Sequence, residues 1–93
     1  MRRAARTDSN KAEIVEALRN AGATVYDLKQ PVDLLVGHRG YTVLVEIKRG
    51  DGPPSGRRYT KAQMAFLSTW TGGPVATVTD VAGALRVLGV TGD

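Results

Sequence analysis

The chain has 93 residues, which suits one small domain, and its 42% hydrophobic and 24% charged residues are typical of a globular protein. Because cysteine is absent, a disulfide scaffold and a cysteine-ligated zinc site are excluded. No apolar run has the length of a membrane span, and the basic N-terminus lacks the apolar core of a secretory signal. We therefore expect no membrane partner, and a cytoplasmic location is compatible with the composition.

Two basic clusters account for the net charge of +4, because residues 1–11 carry +3 and residues 48–61 carry +4. The remaining residues are mildly acidic. Such clusters favour a polyanionic partner, although a solubilising basic surface explains the charge alone equally well.

The elements predicted along the chain follow the order helix, three strands, helix, strand, helix. Residues 1–8 are expected to form a basic flexible arm, followed by one domain over residues 9–90. The predicted elements are a helix from Asn10 to Gly22, strands Thr24–Leu28, Val32–Val36 and Tyr41–Lys48, a helix over residues 61–71, a strand Val75–Val78 and a last helix through Leu88. This order predicts an α/β fold, with a mixed four-stranded sheet flanked by helices.

Three further assignments concern turns and the core. Residues 49–58 are rich in glycine, proline and arginine, which is typical of a loop. His38 is expected in the hairpin turn between the second and third strands. The large apolar residues of the second helix are expected in the core; they are Met64, Phe66, Leu67 and Trp70.

The predicted hairpin places three charged residues on one face. A turn about His38 and Arg39 pairs Val36 with Tyr41, and side chains alternate between the two faces of each strand. One face is then entirely apolar, whereas the other carries Asp33, Glu46 and Lys48. Asp33 and Glu46 become diagonal neighbours, about 7–8 Å apart at the backbone.

Two carboxylates at that separation repel each other unless a cation lies between them. Mg²⁺ prefers oxygen ligands and is the usual ion where phosphates complete the coordination. Lys48 would balance charge or contact the phosphate that is cleaved. The alternative is that Asp33 and Lys48 form a salt bridge at the strand ends while Glu46 is solvated, but Glu46 stands in the apolar run "VLVEIK".

These residues resemble the motif of the PD-(D/E)XK nuclease superfamily, with Asp33 followed by Glu46-Ile47-Lys48 on adjacent strands. Within it, the chain is most similar to small standalone phage and bacterial nucleases of the VRR-NUC group, which are related to Holliday-junction resolvases. A first-helix glutamate, Glu13, and a "T-x-x-Q" pattern ending at Gln63 also match. The family's adjacent proline and aspartate appear here as Pro31-Val32-Asp33, with one residue inserted.

The resemblance implies a restriction-endonuclease-like core and a role for each matched residue. Asp33 and Glu46 would bind Mg²⁺, or Mn²⁺, through their side chains, and Ile47 through its backbone carbonyl. Lys48 would orient the attacking water and stabilise the phosphate. Glu13 would bind metal through water or hold a second ion, and Gln63 would position Lys48 or a phosphate.

Two of these residues also have purely structural interpretations. Asn10 with Glu13, and Thr60 with Gln63, both fit the capping box of a helix N-terminus, which needs no metal. Tyr59 either stacks on a base or covers the start of the second helix, and the sequence does not distinguish these roles.

The sequence therefore predicts a magnesium-dependent DNA endonuclease, with no small-molecule cofactor and with selectivity for branched DNA as one option. The residues expected to contact nucleic acid are Arg49, Arg57, Arg58, Tyr59 and Lys61. A homodimer is expected, through the third helix or the edge of the fourth strand, because cutting both strands takes two active sites. The alternatives are a non-catalytic nucleic-acid-binding module with the same fold, and an interaction domain whose charges only solvate the sheet.

Overall fold

The computed structural model describes the backbone of residues 2–48 and 59–89, and side chains from Asn10 onward within these ranges. The predicted element order is confirmed. The elements are α1 (Arg2–Asn20), β1 (Thr24–Asp27), β2 (Leu34–His38), β3 (Tyr41–Ile47), α2 (Lys61–Thr69), β4 (Val75–Val78) and α3 (Val81–Val87). Within the described ranges, no helix combines the length and apolar character that crossing a membrane requires.

The four strands form one mixed sheet in the order β1-β2-β3-β4. β1 and β3 both run antiparallel to β2, whereas β4 runs parallel to β3. A parallel neighbour requires a crossover connection, and α2 lies on that connection between β3 and β4. The α/β fold with a mixed four-stranded sheet and three helices is therefore as predicted.

The register of the β2–β3 hairpin differs from the prediction. His38 pairs with Tyr41, so that the turn consists of Arg39 and Gly40. Both turn residues have positive φ angles, 53° and 81°, as the two-residue turns that match strand twist require. The predicted turn about His38 was wrong, because glycine is needed at the second turn position and Gly40, not Gly37, provides it.

His38 is instead the last residue of β2 and is buried. Its Nδ1 atom has no hydrogen-bond partner within the described part of the chain. The predicted faces of the hairpin nevertheless hold, because the pairing shifts by two residues, so that Val36 pairs with Val43 instead of Tyr41 and each side chain keeps its face.

The core lies between the apolar face of the sheet and the two helices α1 and α3. Ile14 and Leu18 of α1 are fully buried, as is Ala84 of α3. The strand residues that complete this cluster are Val25, Leu34, Val36, Val43, Val45 and Val78. The helical spacing of Ile14 and Leu18 and the alternation along β2 and β3 together produce this single apolar layer.

Two predictions about the helices were wrong. α1 begins at Arg2, not near Asn10, so the N-x-x-E pattern lies inside a helix and does not cap it. Alanine and arginine are strong helix formers, which explains why the helix extends through the predicted arm. The flexibility expected of residues 1–8 stays a prediction.

The second error concerns the second helix, whose large apolar residues were expected in the core. Met64 is 60% exposed and Trp70 42% exposed, while Phe66 and Leu67 are only half-buried. Gln63 is the buried residue of this helix. α2 therefore lies beside the polar side of the hairpin rather than over the apolar core.

Candidate functional site

The segment before β2 and the end of β3 bring two carboxylates together. The backbone N–H of Asp33 donates to Oε1 of Glu46 over 3.1 Å, and the N–H of Ile47 donates to Oδ2 of Asp33 over 2.7 Å. These reciprocal bonds hold both side chains between the strands. Asp33 itself lies one residue before β2, not within the strand as predicted.

Lys48 follows the last residue of β3 and is turned toward Glu46. Its ammonium lies 3.2 Å from Oε2 of Glu46, and both side chains are about nine-tenths buried, with exposures of 11% and 8%. A buried ion pair is costly to form unless further hydrogen bonds satisfy it. Here the ammonium also donates to Oε1 of Gln63 over 3.3 Å.

The Gln63 side chain caps the start of α2 and also contacts Lys48. Thr60 and Gln63 form the predicted capping box at the start of α2, in which Gln63 Oε1 accepts from the Thr60 N–H over 3.1 Å. The same oxygen accepts from Lys48, and the amide nitrogen donates to the Pro31 carbonyl over 3.2 Å. The cap therefore fixes the side chain that contacts the Lys48 ammonium.

Tyr59 also contacts Lys48. The ammonium is 5.6 Å from the centre of the Tyr59 ring, a cation–π distance, and the Tyr59 hydroxyl bonds to Thr77 of β4. Tyr59 thus helps to place Lys48, while stacking on a base stays a prediction.

A second ammonium group lies at the opposite end of the carboxylate pair. Lys11 of α1 is 2.8 Å from Oδ2 of Asp27 and 4.0 Å from Oδ1 of Asp33. Lys29 also approaches Asp27, at 3.7 Å, but its side chain is 77% exposed. One oxygen of Asp33 and of Glu46 thus accepts a backbone N–H, while the other faces an ammonium group.

The pKa values of the two aspartates shift in opposite directions. Burial raises the pKa of Asp33 and the nearby Glu46 carboxylate raises it further, against the opposing effect of the Ile47 N–H bond. The hydrogen bond from Lys11 lowers the pKa of Asp27. The folded protein therefore keeps two like charges close together at a cost, which a bound cation would offset.

The donor set fits one hard divalent ion. Asp33 and Glu46 supply carboxylate oxygens that keep acceptor capacity beyond the single N–H bonds they accept. Within the described ranges, no three acidic or histidine side chains form a metal-ligand group. Two carboxylates with a backbone carbonyl, phosphate oxygens and water match the way Mg²⁺ is commonly bound, with few protein ligands.

Glu13 does not join this pair. It is exposed on α1, and successive helix positions turn by about 100°, so residues 11 and 13 lie on opposite sides of the helix. Lys11 takes the side that faces Asp33, which places a positive charge where the resemblance implies a glutamate.

Three predicted nucleic-acid contacts, Arg49, Arg57 and Arg58, lie outside the described residues. Lys61 is exposed at the first position of α2. Beside Gln63 lies an open groove of about 630 Å³, which is lined by Lys29, Gln30, Pro31, Thr60, Ala62 and Gln63. This groove leads from the start of α2 toward the segment that carries Asp33.

Sequence reasoning missed Lys11 and Asp27. A signal was present, because Lys11 stands three residues before Ile14 and seven before Leu18, on the buried stripe of α1. A lysine in line with two fully buried residues indicates a partner within the protein.

Comparisons with family models, with curated proteins and with solved structures found no match for this chain.

Proposed function

We propose that this protein is a Mg²⁺-dependent nuclease that hydrolyses DNA phosphodiester bonds, with a restriction-endonuclease-like core. The observation that carries the proposal is the joining of Asp33 and Glu46 across the hairpin, with the Lys48 ammonium 3.2 Å from Glu46. Paired carboxylates beside an amine suit metal-assisted phosphodiester hydrolysis, in which negative charge develops on the phosphate.

Each side chain has a role in this proposal. Asp33 and Glu46 hold the ion with the Ile47 carbonyl, and either Mg²⁺ or Mn²⁺ is expected to support activity. The bound ion supplies an acidified water and neutralises phosphate charge. Lys48 orients the attacking water and contacts the scissile phosphate, while Gln63 keeps the Lys48 amine in place through its 3.3 Å bond.

The DNA backbone is proposed to follow the basic segment from Arg49 to Lys61, which comes directly after Lys48 in the sequence. Contacts from arginine and lysine to phosphate carry no base information and weaken steeply with salt. A duplex-binding titration at increasing salt measures this, and an affinity independent of salt would exclude the segment as the DNA contact.

A homodimer is proposed because a domain of this size covers little DNA, and cutting both strands of a branch takes two sites. β4 is the last strand in the sheet order and so lies at an edge, and Met64 of α2 and Trp70, which directly follows that helix, are exposed. Both are candidate dimer contacts, in addition to α3. Sedimentation velocity of the full chain distinguishes monomer from dimer.

Cleavage of a branched DNA and of a matched plain duplex, with Mg²⁺ and with a chelator, tests the nuclease proposal. Glu46→Gln and Lys48→Ala are each expected to lower the metal-dependent rate about 100-fold or more, as loss of one preorganised electrostatic group does. Glu16→Gln is the matched control, because Glu16 is an exposed carboxylate on α1 outside the site. Equal residual rates in all three variants would indicate a contaminating nuclease.

A second readout uses stability and does not depend on turnover. A divalent ion that binds only the folded protein raises the free energy of unfolding by about 2.7 kcal/mol at 100 times its Kd. We expect Mg²⁺ or Ca²⁺ to raise the melting temperature of the wild type but not that of Glu46→Gln. If the protein binds DNA but shows neither cleavage nor this shift in melting temperature, the non-catalytic module is favoured. If it neither binds DNA nor shows the shift, the interaction domain is favoured.

A further inference from the structure

The position of Lys11 beside the carboxylate pair bears on how many ions the site holds. Its ammonium lies between two carboxylates, 2.8 Å from Asp27 and 4.0 Å from Asp33. A cation placed between neighbouring carboxylates is the arrangement that a second divalent ion would adopt in a two-metal site. Here a covalently attached ammonium already takes that position.

We propose that Lys11 replaces a second metal ion, so that the site takes one divalent cation between Asp33 and Glu46. This inference rests on the proposed function. Lys11 then acts as a positioning residue: it supplies fixed positive charge beside Asp33 and keeps Asp27 out of the metal coordination.

Burial and anchoring support this assignment. The Lys11 side chain is 27% exposed, whereas that of Lys29, the other lysine near Asp27, is 77% exposed. Lys11 also lies on the helix stripe that contains Ile14 and Leu18, both fully buried, so its backbone is fixed relative to the sheet. An entering ion would have to displace an anchored ammonium from the 2.8 Å contact with Asp27.

Charge balance points the same way. The carboxylates of Asp27, Asp33 and Glu46 are matched in number by the ammonium groups of Lys11, Lys29 and Lys48. One divalent ion between Asp33 and Glu46 adds two positive charges to this set, and a second ion would add two more. A second ion would leave a large excess of positive charge among partly buried groups, which is unfavourable.

Calorimetric titration with Mn²⁺ and no nucleic acid tests this inference on the full chain. The wild type is expected to bind one Mn²⁺ per chain. Lys11→Met removes the ammonium at similar side-chain length, leaves Asp27 and Asp33 without their shared cation, and is expected to bind two. Lys11→Met combined with Asp27→Asn is expected to return to one.

Lys29→Met is the matched control, because Lys29 also pairs with Asp27 but has no contact with Asp33 within the described residues. It is expected to bind one Mn²⁺. Circular dichroism verifies the fold of each variant, and Lys11→Gln, which keeps a polar group, repeats the measurement if Lys11→Met loses helical signal.

The outcomes separate this inference from the nuclease proposal. Two ions in the wild type, or a single ion in both Lys11→Met and Lys11→Gln, would overturn the role of Lys11 and leave the metal site intact. No Mn²⁺ binding by the wild type would overturn the metal site itself, and the inference with it.

Discussion

The two faces of the β2–β3 hairpin share one backbone but differ in what they bury. Leu34, Val36, Val43 and Val45 form one face, where none is more than 2% exposed, and they pack beneath α1 and α3. The opposite side ends in Asp33, Glu46 and Lys48, whose polar atoms bond to backbone groups and to Gln63. Apolar packing dominates the first face, whereas ion pairs and hydrogen bonds dominate the second.

The difference separates folding from chemistry. Burial of apolar side chains stabilises the fold without any need for exact polar partners. The charged side holds Asp33 half-buried beside Glu46 at a cost, because burial and, to a smaller extent, the Glu46 carboxylate raise the pKa of Asp33. Natural proteins commonly retain such unfavourable groups at functional sites because activity requires them.

The largest expected loss of stability comes from the apolar face. Leu34→Ala removes a fully buried side chain and should lower the free energy of unfolding by about 3 kcal/mol, through lost burial and the cavity left behind. Leu35→Ala, one residue along β2 on the opposite face, is the matched control, because Leu35 is only half-buried. Urea denaturation measures both values. Equal losses would contradict the assignment of the core to one face.

On the charged face, removing a charge should raise the free energy of unfolding rather than lower it. Asp33→Asn removes the partly buried charge next to Glu46 and keeps an oxygen that accepts from the Ile47 N–H. In a chelating buffer at neutral pH, we therefore expect the variant to be more stable than the wild type. Added Mg²⁺ should stabilise the wild type alone.

The pH dependence of that difference has a defined sign. A carboxyl whose pKa is higher in the folded protein takes up protons on folding, so the stability of the wild type falls as the pH rises from 3.8 through the folded pKa of Asp33. Asp33→Asn lacks this contribution. The advantage of the variant should thus shrink as the pH is lowered toward 3.8, and an advantage that grows there would contradict the assigned cause.

Much of this arrangement was predictable from the sequence, because a register that is wrong by two residues still assigns each side chain to the correct face of the sheet. The predicted pairing of Val36 with Tyr41 was wrong, yet Glu46 and Lys48 remained on the polar face, since faces repeat every two residues. The register itself depends on two positive φ angles at Arg39 and Gly40, and the sequence "GHRG" offers glycine at either end of the turn.

The helices show what periodicity does not determine. The stripe of Ile14 and Leu18 predicted a buried face correctly. Two large apolar residues of the predicted second helix, Met64 and Trp70, are nevertheless exposed. A pattern indicates which side of a helix is apolar; it does not indicate whether anything covers that side. Lys11 was not predicted to join the site, because its place on the buried stripe indicates an internal partner but not which carboxylate it contacts.

The smallest expected effects lie on α2. Thr60→Ala removes the capping bond to the Gln63 N–H and should cost about 1 kcal/mol, whereas Met64→Gln, at a position 60% exposed, should change stability by less than about 0.5 kcal/mol. Urea denaturation at low protein concentration measures both. Because Gln63 also holds Lys48, Thr60→Ala should lower cleavage as well, and Met64→Gln should not.

Protein concentration extends this comparison to the assembly. If the free energy of unfolding of Met64→Gln matches the wild type at low concentration but falls below it at high concentration, the exposed side of α2 is covered in the dimer. Equal values at every concentration would place the dimer contact elsewhere, with α3 or the edge of β4 as the remaining candidates. Met64→Gln thus tests the fold of the monomer at low concentration and the dimer contact at high concentration. An exposed side chain contributes to the free energy of unfolding only when a second chain covers it.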